Sequence, residues 1–273
     1  MFTVMLLITG LFAGILGALL GLGGGIIIIP VLTILFHLPI HTAIGVSLVG
    51  VIATSTGAAM VYVREGTVNI RLGMVLELAT TVGAIAGAVV AGYVGSKALY
   101  LLFAALLFYT TYSMYHKTAQ DSVKPSQINE EIAVGSAALA EGDHFVYDTY
   151  RIKNIPVGLF FSAFAGMMAG LLGIGGGVIK IPVMYLLMGV PLKNAAATSN
   201  FMIGVTAGAS AFVYFSRGYI DVMAAVPMAL GVFAGAAVGT MINARVSTRL
   251  LKQIFIVIFI FVAVEMTLKG LGR

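Results

Sequence analysis

The sequence predicts an all-α polytopic membrane protein made of two homologous repeats, each holding a glycine-broken or re-entrant helix and three to four transmembrane helices. Three observations carry this. The composition is 60% hydrophobic and 9% charged, against about 25% charged in a soluble domain, and the mean hydropathy is +1.08. Uninterrupted apolar runs reach the ~20 residues that cross a bilayer as a helix. The chain also repeats itself at a fixed spacing.

The repeat is plainest in its glycines. Gly21-Leu22-Gly23-Gly24-Gly25, followed by an apolar segment closed by Pro30, recurs 152 positions later as Gly173-Ile174-Gly175-Gly176-Gly177, closed by Pro182. The same shift lays Pro39 on Pro191, Ser47 on Ser199, Thr54 on Thr206, Tyr62 on Tyr214, Gly83 and Gly87 on Gly235 and Gly239, and Phe103 on Phe255. One ungapped register over this length marks a duplication.

The elements follow in order. Residues 1–116 form the first repeat: an apolar run at 2–20, the glycine cluster, a short run at 26–36, and longer runs at 43–63, 72–93 and 97–115. Residues 155–273 repeat the series at 155–172, 177–188, 194–215, 221–243 and 248–268. The long runs are of spanning length, whereas the short ones fit re-entrant or broken helices. Between the repeats, 117–154 is the one extended polar stretch, with Glu130, Glu131, Glu141, Asp143 and Asp148 among its charges. It reads as a water-exposed linker.

Lysine and arginine gather on the cytoplasmic side of membrane proteins. If the short runs cross, ten basic residues share the linker's side and four face the other, with Lys180 inside the membrane. The linker is then cytoplasmic, and an odd number of crossings inverts one repeat relative to the other. If the short runs do not cross, the count is nine against five and the repeats are parallel. The inverted arrangement is favoured by that margin, and the linker is cytoplasmic in both. The formal charge of +5 reads first as this loop bias and only weakly as a preference for anions.

A glycine cluster in hydrocarbon exposes backbone N–H and C=O groups, so it must be buried in protein or line a cavity. Paired interruptions at matching repeat positions point to a transporter's substrate site. A half-helix that starts inside the membrane aims unpaired N–H groups and a positive dipole end at its ligand, and glycine lets an anion come close. Gly23, Gly24, Gly25, Gly175, Gly176 and Gly177 are therefore candidate contacts for a small anion. Close packing is the plain alternative, as it is for Gly83-x-x-x-Gly87 and for Gly231, Gly235 and Gly239, whose faces could instead serve a homodimer.

Polar residues in the apolar runs complete the candidate set. Lys180 stands where the first repeat has Ile28. At mid-membrane depth it costs roughly 2.5–3.5 kcal/mol, to be offset by snorkelling, by a carboxylate or by the bound anion. Thr198, Ser199 and Asn200 cluster in one apolar helix, and Ser47 is the partner of Ser199. Hydroxyls and an amide donate to an oxyanion without fixed charge, although Thr198 and Ser199 could equally bond their own helix. Glu77 is an intramembrane carboxylate, open to pairing with Lys180 or to carrying protons. His41, beside Pro39, is a second candidate for proton coupling or a turn residue at the interface.

No catalytic constellation emerges. Cysteine is absent, which excludes thiol chemistry and cysteine metal sites, and the four histidines lack metal-ligand spacing. We expect no catalytic residue, no metal, no cofactor and no nucleic-acid partner.

The duplicated glycine motif with Pro30 and Pro182, continued by Pro191-Leu192-Lys193-Asn194-Ala195-Ala196-Ala197-Thr198-Ser199-Asn200, resembles the TauE/SafE sulfite exporter family, over the whole chain apart from the linker. The resemblance implies a multi-pass permease of the inner membrane for small sulfur-containing anions, with sulfite export as the leading substrate and direction and alternating access as the mechanism. An organosulfonate or organic-acid permease and an anion channel are the alternatives. The expected partners are the anion, sulfite or sulfonate, and the lipid bilayer.

Overall fold

The computed structural model describes residues 2–20, 23–120, 152–242 and 248–272. Gly21, Leu22 and most of the linker, with its acidic residues, lie outside the described residues. Every element within them is helical. The first are α1 (Phe2–Leu20), α2 (Gly25–Ile34), α3 (Ile40–Arg64), α4 (Ile70–Ala91) and α5 (Ser96–Gln120). After the linker come α6 (Ile155–Leu172), α7 (Gly177–Pro182, continued as a π-helical turn, Val183–Leu187), α8 (Leu192–Ser216), α9 (Val222–Ile242) and α10 (Thr248–Gly270). The fifth helix runs past residue 116, where the first repeat was expected to end.

Among the described residues six helices are long and apolar enough to cross a membrane: α1, α3, α4, α6, α8 and α9. The sequence reading also took α5 and α10 as spanning; side chains at 113–120 and over most of 248–258 lie outside the described residues, so the count of six does not bear on either. The outer faces of the six are apolar: Leu78, Val82, Phe160, Phe212 and Met223 are each at least 70% exposed. A surface of that kind belongs against lipid rather than water.

Interior packing rests on backbone-to-backbone contact. A Cβ at Gly83 or Gly87 would run into the carbonyl oxygens of Ala163 and Met167, and one at Gly166 or Gly170 into those of Thr80 and Ala84, so α4 and α6 touch along their length. The seam between α1 and α9 is built alike: Gly231, Gly235 and Gly239 lie against the carbonyls of Leu7, Leu11 and Ile15, and Gly14 against that of Val232. With no apolar driving force between helices in lipid, such close approach and its dispersion contacts hold them together. These glycine faces, open on sequence grounds to a homodimer, are thus occupied within the chain. Both seams use residues 152 apart, Gly83 with Ala163 and Gly235 with Leu11.

Contacts also fix helix directions. Along α4 and α8, Asn69 meets Thr198 and Glu77 meets Thr206, so the two run the same way. Along α3 and α9, Gly50 lies by Met228 and Val232 and Gly57 by Phe233 and Ala236, again the same way.

Filling a seam should cost stability. Gly83→Ala and Gly235→Ala should each destabilise the purified protein by about 1–3 kcal/mol through overpacking. Gly208→Ala, whose new methyl would meet nothing within 4 Å, should be neutral or stabilising because alanine is the better helix former. Thermal melting in detergent compares the three; equal melting points would refute the seam.

Candidate functional site

The two glycine clusters meet at the centre of the molecule. Val51 and Ile203 lie near the midpoints of α3 and α8, and both clusters lie against this pair. A Cβ at Gly23 would lie 3.1 Å from Val51 and 3.2 Å from Ile203; one at Gly175 would lie 2.7 Å from Ile203 and 3.1 Å from Val51. Gly25 abuts the Gly173 carbonyl and Ile174 across the junction. The chain turns back on itself here because Gly23, Gly24, Gly175 and Gly176 take φ of 74–76°, which a side chain disfavours.

Each turn starts a helix in the interior. Gly24 caps α2 and Gly176 caps α7. The N–H groups of Ile27 and Ile28 donate to the Gly24 carbonyl, and those of Ile179 and Lys180 to that of Gly176. The amides of Gly25, Ile26, Gly177 and Val178 come before the first helical bond and carry the positive end of each helix dipole.

Ser47, Ser199 and Asn200 are fully buried beside this junction. Ser47 donates its hydroxyl to the Gly173 carbonyl at 3.0 Å, tying α3 to the second cluster. Ser199 stands one turn before Ile203 on the same stripe of α8, yet among the described residues neither its hydroxyl nor the nitrogen or oxygen of the Asn200 amide has a partner. The backbone carbonyl of Asn200 accepts from Ser55 on α3, which fixes the residue in place. Buried polar atoms are nearly always paired, and leaving such a group unpaired costs about 1–3 kcal/mol.

Lys180 and Glu77 form a second buried set. The Lys180 ammonium lies 3.4 Å from the Glu77 carboxylate and donates to Thr206 at 2.9 Å, while Thr206 donates to the other Glu77 oxygen at 2.6 Å. Thr81 donates to that same oxygen at 3.3 Å. Lys180 is 1% exposed. Snorkelling is therefore corrected: the short α7 starts at the molecule's centre and holds the side chain inward, so it cannot reach the interface. At the repeat-equivalent positions stand Ile28 for Lys180, Thr54 for Thr206 and, in the second half, Ala229 for Glu77, an uncharged set.

Two candidates stand apart. Thr198 accepts the Asn69 N–H at 3.0 Å, helping to cap α4. His41 lies 3.2 Å from the Ala91 carbonyl, with its ring 5.1 Å from that of Tyr219. Ala91 ends α4, about 20 Å along the helix from Glu77 at 1.5 Å per residue, so the pair considered for proton coupling is not brought together. Sequence reading missed Thr206, Thr81 and Ser55. A threonine in an apolar helix most often bonds its own backbone, as Thr206 also does to Met202, and spacing alone cannot reveal a partner on another helix.

A family model described as "Sulfite exporter TauE/SafE" matches residues 6–266. The chain is 28% identical over 275 residues to the probable membrane transporter protein YunE of Bacillus subtilis strain 168, covering 98% of each chain. It is 28% identical to the probable membrane transporter protein YdhB of the same organism, over 86% of this chain and 88% of that one. It is also 25% identical to the probable membrane transporter protein MJ0441 of Methanocaldococcus jannaschii, over 91% and 89%. No solved structure matches.

Removing one partner of a buried ion pair strands the other. Glu77→Ala and Lys180→Ile should each destabilise by roughly 3–5 kcal/mol, whereas the double variant, which installs the residue types of the repeat-equivalent positions, Ala229 and Ile28, should recover most of that loss. A double variant that melts at the sum of the two single losses would show the pair to be uncoupled.

Proposed function

This chain belongs to the sulfite exporter TauE/SafE family, and from that premise we propose that it exports sulfite, or a closely related small sulfur-containing anion, across the inner membrane by alternating access. The observation that carries this is the central junction. Two helix N-termini converge midway along α3 and α8, beside an asparagine amide and a serine hydroxyl that are buried without partners. The unpaired N–H groups and dipole ends attract an oxyanion, and the amide and hydroxyl supply hydrogen bonds that a bound oxyanion would satisfy. Gly23, Gly24, Gly25, Gly175, Gly176, Gly177, Ser199 and Asn200 form the binding set. Ser47 holds the second cluster in place, and Lys180 acts through its pair with Glu77.

The mechanism draws on two inverted repeats, 1–116 and 155–273, joined by a cytoplasmic linker at 117–154. The helix directions support that inversion. With α4 parallel to α8 and α3 parallel to α9, the equivalent helices α3 and α8 run oppositely if the short loop between α3 and α4 reverses the chain. Rocking of one inverted repeat against the other opens a midplane site alternately to each side.

Asn200→Leu separates function from folding. Leucine is the residue at the matching position of the first half, Leu48, and it removes two unpaired buried polar atoms. The variant should melt at the same temperature or higher, gaining about 1–3 kcal/mol, while sulfite efflux from liposomes holding the purified protein falls at least tenfold. Wild-type efflux from Asn200→Leu would remove Asn200 from the site. Transport of sulfonates but not sulfite by the wild type would assign the substrate to that class instead.

A further inference from the structure

We infer, resting on the transport reading above, that the species bound at the junction is a monoanion, hydrogensulfite rather than the sulfite dianion. The compensating charge at the site sets this. Lys180 is the one cation buried among the described residues of the core, and the Glu77 carboxylate at 3.4 Å cancels it. What remains is two helix N-termini, α2 at Gly25 and the helical segment Gly177–Leu187. Each is equivalent to roughly half an elementary charge. Together they balance about one negative charge.

A second negative charge would enter unmatched. The cost of burying an ion rises with the square of its charge, so a dianion pays about four times the desolvation of a monoanion, with no added cation to offset it. The hydrogen-bonding groups agree. Asn200 presents an unpaired carbonyl oxygen as well as an unpaired amide nitrogen, and Ser199 can donate or accept. A fully deprotonated oxyanion only accepts hydrogen bonds and would leave the Asn200 oxygen facing negative charge. The hydroxyl form of hydrogensulfite accepts at its free oxygens and donates from its O–H, so each partnerless group finds a complement.

The sulfite dianion takes up its first proton near neutral pH, giving hydrogensulfite, so pH selects the species. The titratable and charged groups on the elements packed against α8 are Glu77 on α4 and Lys180 on α7 within the core, with His41, Tyr62 and Arg64 on α3, Arg71 near the start of α4 and Tyr185 in the π-helical turn after α7. Their titration has to be separated from that of the substrate. The experiment measures efflux from liposomes holding the full chain, with equal pH on both sides, from pH 6 to 9. One series holds total sulfite fixed and a second holds hydrogensulfite fixed.

At fixed total sulfite the rate should fall about tenfold for each pH unit above the anion's second dissociation; at fixed hydrogensulfite it should stay level. Sulfate, a dianion throughout this range, should not be carried. A rate that is flat or rising at fixed total sulfite, a rate that changes at fixed hydrogensulfite, or flux of sulfate would each overturn the monoanion assignment. Absence of sulfite flux at every pH would instead overturn the transport reading beneath it.

Discussion

A helix broken inside hydrocarbon must have its open backbone groups covered by protein, and this chain breaks two helices at one place. That constraint organises the rest. The breaks at Gly23–Gly25 and Gly175–Gly177 are covered by the midpoints of α3 and α8, where Val51 and Ile203 fill the space that side chains on the glycines would take. Long helices are needed on either side to carry these midpoints to the centre. The glycine seams of α4 with α6 and of α1 with α9 then bring the outer helices close enough to seal the junction from lipid. Without the seams the half-helix ends would face acyl chains that cannot hydrogen-bond.

Much of this was legible in the residues. The spacing of 152 located both glycine clusters and both seams, because repetition survives in sequence whatever the packing. Ser199 and Asn200 stood out because polar side chains in an apolar helix are costly, and the structure finds them buried and without partners among the described residues. Lys180 and Glu77 were recognisable as groups in need of partners, but not as partners of each other to the exclusion of snorkelling. That choice depends on where α7 crosses α4 and α8, and crossing geometry leaves no mark at 103 residues' separation. The same holds for Thr206, Ser55 and the bond between Asn69 and Thr198. Each is an unremarkable residue on its own helix and gains its role only from a neighbour far along the chain.

The two halves share a backbone plan and differ in polarity, and that difference has consequences for a transporter. In the alternating-access mechanism proposed above, identical inverted halves would make the inward-open and outward-open arrangements symmetry-related and equal in energy. Lys180, Glu77 and Thr206 stand opposite Ile28, Ala229 and Thr54, and Ser199 and Asn200 opposite Ser47 and Leu48. A charged set that is buried and paired on one side has no counterpart on the other, so the two arrangements of that mechanism would differ in energy. On that mechanism the resting state would be biased before any substrate binds. A ligand can then shift the balance only by the difference in its affinity for the two arrangements. Since the free amide and hydroxyl lie in the second half alone, that difference must come from how Ser199 and Asn200 stand against the glycine turns in each arrangement. On the proposed reading, the asymmetry that would make the site selective would also give transport its preferred starting state.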